Sequence, residues 1–163
     1  MKYIYKNIDD FDENFYSKIY NKLKIKKKNK IDKLLNKKLS LLGYYELDLL
    51  LKEIDVNINI YECDINYNKY GKPSIDNIFY SISHDNKITI CAVSDKPIGI
   101  DIIYLKRHNR IKIDEFAIKE AYIKMVGNSI LNINKINLEL INNTCNISKI
   151  FIKDYIVVIC EIK

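Results

Sequence analysis

Between residues 78 and 105 three runs rich in isoleucine and other strand formers follow one another with very little chain between them. They cover 78–83, 88–94 and 98–105, and the links are His84-Asp85-Asn86-Lys87 and Asp95-Lys96-Pro97. Links of four and three residues leave no room for a crossover helix, so the strands are expected to fold back on one another as an antiparallel meander. The third run reads Ile98-Gly99-Ile100-Asp101-Ile102-Ile103-Tyr104. Strand alternation points Ile98, Ile100, Ile102 and Tyr104 one way and Gly99, Asp101, Ile103 and Leu105 the other. An ionised Asp among isoleucines loses its hydration, a cost that only a cation or hydrogen-bond donors offset. Gly99 leaves room beside it.

The rest of the chain divides by period. Residues from about 12 to 54 read as helical, because Ile19, Leu23, Ile31, Leu34, Leu35, Leu41, Leu42, Tyr45 and Leu49 recur at three- and four-residue steps. The basic run Lys24-Ile25-Lys26-Lys27-Lys28-Asn29-Lys30 inside it is expected as a solvated helix face or an inter-helix turn. Residues 55–70 alternate through Val56, Ile58 and Ile60 and read as strand with loop, and Tyr70-Gly71-Lys72-Pro73 stops regular structure. A helix over 113–126 ends at Gly127-Asn128, a good C-terminal cap. Residues 129–163 alternate again and close on a buried strand, Tyr155-Ile156-Val157-Val158-Ile159-Cys160. The glycines at 43, 71, 99 and 127 are evenly spaced, but their flanks differ and mark no repeat.

With 163 residues, 48% of them hydrophobic, the chain suits one domain or two small halves sharing an interface. No stretch approaches the roughly 18 to 20 apolar residues of a membrane span. Met1-Lys2-Tyr3-Ile4-Tyr5-Lys6 does not begin a secretion signal, so a cytoplasmic place is expected. Cys63, Cys91, Cys145 and Cys160 show no CxxC spacing and read as reduced core thiols. The net charge of +6 would suit a nucleic-acid-binding module. Against that, Arg107 and Arg110 are the only arginines among 27 basic residues, and base-edge and bidentate phosphate readers favour arginine. The saturation with Ile, Asn and Lys is also what AT-rich coding sequence produces. What remains is a preference for acidic partners or phosphorylated ligands.

In the helix over 113–126, Glu120 and Lys124 stand at i and i+4 and share one face. Phe116, Ala117, Ala121, Tyr122 and Met125 would bury the neighbouring face. Alone, Asp101 reads as a buried acid paired with a lysine, and Glu120 with Lys124 as a surface ion pair worth a few tenths of a kcal/mol. Together, Asp101 and Glu120 suggest a hard metal ion held by oxygens, with Lys124 adding positive charge, which is equipment for chemistry on phosphate. Ser83-His84, at a strand end, is no hydrolase pair, since adjacent strand residues point apart. With two histidines in the chain a His-based zinc site is not expected. His84 reads equally as an anion contact beside Lys72-Pro73 and as a surface turn residue.

Taken in order, Gly71-Lys72-Pro73, Tyr80-Ser81-Ile82-Ser83-His84, Ile98-Gly99-Ile100-Asp101-Ile102 and Phe116-Ala117-Ile118-Lys119-Glu120-Ala121-Tyr122-Ile123-Lys124-Met125-Val126-Gly127 resemble the surfactin-type 4'-phosphopantetheinyl transferases. The resemblance runs from about residue 24 to 127. It implies an α+β fold, one unit over 1–163 with two pseudo-symmetric halves (about 1–97 and 98–163), each a helix on an antiparallel sheet, with coenzyme A in the cleft between them. It implies a monomer that transfers the 4'-phosphopantetheine arm of coenzyme A to a serine of an acyl or peptidyl carrier protein, with Mg²⁺, releasing 3',5'-ADP. By the same resemblance Asp101 and Glu120 are metal ligands, Glu120 also draws the serine proton, and Lys124 steadies charge on the pyrophosphate. Lys72, Pro73, Ser83 and His84 match positions that hold the nucleotide and its 3'-phosphate. Lys24 and Lys27 match lysines reaching the same phosphates, and Ser40 a hydroxyl that does so.

Four departures stand beside these matches. Ile103 occupies the place of the second acid in the family's Asp-x-Glu. Only 17 residues separate Asp101 from Lys119, where the family has a longer helical segment. Phe116 stands where Trp is usual, and Leu39 where an arginine precedes the hydroxyl residue. Two carboxylates remain, as in the short trimeric acyl-carrier-protein synthases, and magnesium accepts that, because it keeps waters and takes substrate phosphates. The departures leave a second expectation, a degenerate homologue that binds coenzyme A or a carrier protein without transfer.

Overall fold

The computed structural model describes residues 1–70, 72–75, 78–107 and 112–163. Gly71 of the expected turn and Arg110 of the arginine pair lie outside the described residues. The elements run β1 (Lys2–Asn7), α1 (Glu13–Lys22), α2 (Ile25–Asp32), α3 (Lys37–Glu53), β2 (Asn66–Tyr67), β3 (Pro73–Ser74), β4 (Phe79–Asp85), β5 (Ile88–Ser94), β6 (Ile98–Tyr104), α4 (Ile113–Val126), α5 (Leu138–Thr144), β7 (Cys145–Ile152) and β8 (Tyr155–Ile162). Helix and antiparallel sheet are mixed, so the fold is α+β. Among the described residues no helix is long and apolar enough to cross a membrane.

The expected meander holds for β4 and β5, which pair from Phe79↔Ser94 to Asp85↔Ile88 around a turn with Asn86 at φ 51. It stops there. The far edge of β5 is taken by β1, from Lys2↔Val93 to Asn7↔Ile88, so its ladder is full on both sides. Strand β6 therefore leaves the first sheet, of order β1-β5-β4, and enters a second of order β6-β8-β7. It pairs with β8 from Ile98↔Glu161 to Tyr104↔Tyr155.

The core is layered. On the outer side of the first sheet, Leu42, Leu47, Leu50 and Leu51 of α3 meet Tyr80, Cys91 and Val93. Between the sheets, Ile88, Ile90 and Ala92 of β5 meet Ile98, Ile100 and Ile102 of β6 and Val157 and Ile159 of β8. Beyond the second sheet, Ile103, Ile156, Val158 and Cys160 meet Ile113, Ala117, Ala121 and Met125 of α4. Strands β5 and β8 are thus buried on both faces, which is why they read as unbroken apolar runs. The two faces expected for β6 are the ones observed.

Other expectations need correction. The helical stretch is three helices, broken at Leu23-Lys24 and again before Lys37. Within the basic run Lys27 is not solvated. It is buried in α2, and its ammonium donates to the carbonyl of Ile60 at 2.5 Å. Val56, Ile58 and Ile60 form no strand. Asp55, at φ 56, turns the chain out of α3, and the alternation reflects side chains packing inward from irregular backbone. Residues 129–163 begin with a 3-10 segment, Ile130–Lys135, and the helix α5, capped by the Asn137 side chain on Glu139 N, before any strand starts. All four cysteines are free thiols.

Candidate active site

The site begins with a close approach. A Cβ on Gly99 would lie 2.0 Å from the Ala121 carbonyl oxygen and 2.4 Å from Met125 N. The room that Gly99 leaves is therefore filled by the backbone of α4, which lies directly on β6. That contact brings Glu120 and Lys124, on the face of α4 next to the contact, over Asp101 two residues further along the strand. Asp114 and Glu115 in its first turn complement the N-terminal end of the α4 dipole, and Gly127, at φ 65, closes the helix through its N–H to Ile123 O.

Asp101 is buried. Its Oδ1 accepts from Lys124 Nζ at 2.7 Å and from Ser83 Oγ at 3.0 Å, and Lys124 Nζ also donates to Ser83 Oγ at 2.8 Å. The three groups form a closed triangle that replaces the water the carboxylate loses. Glu120 Oε1 stands 3.8 Å from the same ammonium. Burial, and then the negative charge of the nearby Asp101, hold the Glu120 carboxyl above the ordinary carboxylate range. Lys124 opposes this in part, and Asp85 adds to it. Two carboxylates close enough to repel, each partly neutralised by one lysine, make a donor set suited to a hard divalent cation. Among the described residues no group of three or more His, Cys, Asp or Glu is arranged to hold a metal.

Ser83 comes from β4, and the way β4 lies against β6 puts it there. The strands run the same way with their edges side by side, and side chains join them. Ser81 Oγ accepts from Ile100 N at 3.1 Å, Ser83 Oγ donates to Asp101, and Asp85 Oδ2 accepts from Tyr104 N at 2.6 Å. Residues 81, 83 and 85 share one face of the strand, so alternation makes the seam.

Three adjoining hollows open around Ile82. The largest, about 770 Å³, is lined by Ser83, His84, Asp85, Asp101, Glu120 and Lys124, with Lys112 and Phe116 among its other walls. The second, about 570 Å³, shares Glu120 and Lys124 and adds Lys72, Pro73 and Tyr80. The third, about 250 Å³, brings Ser40, Pro73 and His84 together with Lys30, Tyr44 and Tyr67. Of the ten residues singled out in the sequence, eight thus line one continuous cleft. Lys24 and Lys27 line a separate small hollow that meets it at Lys30 and Tyr67. Lys24 Nζ stands 3.7 Å from Asp64, and Lys27 is committed to Ile60 O. His84 points away from Ser83. Partial burial, then the charge of Lys124, hold its pKa below the ordinary histidine value, so it is neutral at pH 7. Lys72 lines the cleft with its stem, but its ammonium is engaged by backbone carbonyls.

Sequence reasoning passed over Asp85, Lys112, Lys30, Tyr44 and Tyr67. For Asp85 a signal existed, because it continues the Ser81, Ser83 alternation onto the same face. The others reach the cleft from elements whose packing no local pattern announces.

No protein-family model matches the chain. Among curated proteins, a segment covering 37% of this chain and 36% of its relative aligns at 33% identity with the 4'-phosphopantetheinyl transferase gsp of Aneurinibacillus migulanus. The chain therefore matches only about a third of that relative's length. Over that stretch the likeness supports a relationship to the 4'-phosphopantetheinyl transferases.

Proposed function

We propose that this protein transfers the 4'-phosphopantetheine arm of coenzyme A to a serine of an acyl or peptidyl carrier protein, releasing 3',5'-ADP. The convergence of Asp101, Glu120, Lys124 and Ser83 in one cleft carries the reading, and the partial likeness supports it. Asp101 and Glu120 would hold Mg²⁺, which when bound would offset charge on the pyrophosphate. The protein's own groups do the rest. The serine oxygen attacks the phosphorus that bears the pantetheine arm, and its bond to the nucleotide phosphate breaks. The serine proton passes to Glu120, whose carboxylate faces the cleft beside Lys124. Lys124, held in place by Asp101 and Ser83, faces the negative charge that collects on the departing phosphate. Ser40, Pro73 and His84 suit the nucleotide end of the substrate, the neutral imidazole serving as a hydrogen-bond partner.

Mass spectrometry of apo carrier proteins incubated with coenzyme A, Mg²⁺ and the protein tests this. A mass gain of one phosphopantetheine arm is expected, and Glu120→Gln should abolish it. No gain across acyl and peptidyl carriers overturns the reading. One observation favours a second reading, binding without transfer. Ile103 is buried against Ile113 and Ala117 and offers no third ligand on that face of β6. Calorimetry showing tight coenzyme A binding with no turnover would select it.

A further inference from the structure

The resemblance puts Lys72 among the residues that grip phosphate, but its ammonium faces the protein. Lys72 Nζ lies 2.9 Å from the carbonyl oxygen of Met125 and 3.1 Å from that of Ile98, and it also bonds the carbonyl of Lys124. Three donors meet three acceptors, so the ammonium is saturated without a ligand. The last carbonyls of a helix have no partner within it. Here Ile123 O is taken by the amides of Gly127 and Asn128, Lys124 O and Met125 O by Lys72, and Gly127 O by Asn68 Nδ2 at 2.7 Å. Asn68 in turn fixes the segment that carries Lys72, because its Oδ1 accepts from Tyr70 N and Lys72 N. The fit is tight: a Cβ on Gly127 would come within 2.6 Å of Asn68 Nδ2 and 2.9 Å of Lys72 Cδ. A cation at this end of the helix is also favoured by the helix dipole. Burial draws the Lys72 pKa down to about 8, so the ammonium persists at neutral pH.

Ile98 starts β6, three residues before Asp101. Lys124 and Met125 end α4, one turn beyond Glu120. We propose that Lys72 is a positioning residue of the cleft: by tying the last turn of α4 to the first residue of β6, it sets where Glu120 and Lys124 stand against Asp101. The effect on turnover rests on the transferase reading; the anchoring does not.

Lys72→Met keeps the stem and removes the donors, and in the full chain it separates positioning from phosphate binding. Three quantities are read below the melting temperature: hydrogen exchange of peptides spanning 113–127, coenzyme A affinity by calorimetry at two salt concentrations, and carrier turnover. Positioning predicts exchange at the end of α4 faster by about tenfold or more, coenzyme A Kd within about twofold and an unchanged salt slope, and kcat lower by about a hundredfold, as a displaced catalytic group costs. A merely structural role would lower the melting temperature and leave kcat alone. A direct phosphate contact would weaken Kd and flatten the salt slope with α4 exchange unchanged. Either result overturns the proposal. Should Lys72→Met fail to fold, Asn68→Ala removes the second arm of the same clamp and should shift exchange and kcat the same way by less. Wild-type protein without turnover sinks the transferase reading, and α4 exchange in the variant still decides the anchoring.

Discussion

Replacing Glu46 by Gln should remove a steep pH dependence from the stability of this fold. Glu46 lies on α3 with no exposed surface, and neither carboxyl oxygen finds a hydrogen-bond partner among the described residues. Burial raises its pKa from 4.5 to about 9, and Lys6, near the carboxyl but outside hydrogen-bond distance of it, opposes this only in part. In the unfolded chain it titrates as an ordinary glutamate, so between those two values the folded state holds one more proton than the unfolded state. The stabilisation tied to that proton is complete below the unfolded pKa and is lost as pH rises toward about 9. One proton is worth about 1.4 kcal/mol per pH unit, so this group removes about 3 kcal/mol between pH 5 and pH 7. Urea unfolding of wild type and Glu46→Gln, run in parallel from pH 5 to pH 8, reads it directly. The remaining titrations are common to both proteins, so the difference between the two curves isolates residue 46. That difference should change in favour of the variant by about 1.4 kcal/mol for each pH unit. A buried amide without partners shifts the variant's curve as a whole but cannot give it that slope. Parallel curves would refute the reasoning and mean that Glu46 is ionised in the folded protein, with a partner that replaces its water.

The Asp101–Lys124 pair calls for a double-mutant cycle. Lys124→Met leaves a carboxylate whose side chain is 4% exposed with Ser83 as a donor, and should cost about 2 kcal/mol, less than a fully buried pair because Lys124 keeps 28% of its surface. Asp101→Asn in the Lys124→Met background should cost at least about 1 kcal/mol less than alone, and additive costs in urea unfolding would show that the two do not interact. Gly99→Ala places a methyl carbon on the α4 backbone, so the helix must lift from β6. A loss of more than about 3 kcal/mol is expected, and a melting temperature near that of wild type would show that α4 does not rest on the strand.

How much the sequence discloses depends on how far the cause lies along the chain. The β4–β5 hairpin and the end of α4 rest on causes within a few residues, a short link and a Gly at φ 65, and both are legible. Asp101, Glu120 and Lys124 announce themselves by an acid in an apolar strand and an i, i+4 pair. Strand β1 escapes because its residues gain strand geometry only from β5, more than eighty positions away. The same strand displaces β6, so missing β1 also hides the second sheet. Lys27 and Lys72 look alike in the sequence as basic residues for phosphate, yet Ile60 and the end of α4 claim their ammonium groups. Where a long flexible side chain ends is a tertiary fact, and no local pattern encodes it.

Ile103 is the departure from the resemblance that bears most directly on the metal reading, and its surroundings show what the side chain does instead. Its side chain packs with Ile113, Ala117, Ile156 and Val158, where it docks the first half of α4 on the sheet. An acid there would have to desolvate among those groups, at a cost of several kcal/mol unless paired. The largest hollow still has three carboxylates, because Asp85 reaches it across the seam between β4 and β6 and adds to the charge that raises Glu120. Against Asp85, Asp101 and Glu120 its described walls set Lys112 and Lys124, so in this hollow carboxyl groups outnumber ammonium groups by one. A pyrophosphate brought against these carboxylates meets repulsion there. Under the proposed function it needs a cation with it, and the carboxylates that repel the anion are the ones that would hold that cation. The position where the resemblance expects an acid thus serves the helix that carries Glu120 and Lys124, while the neighbouring strand brings the carboxylate of Asp85 to the same hollow.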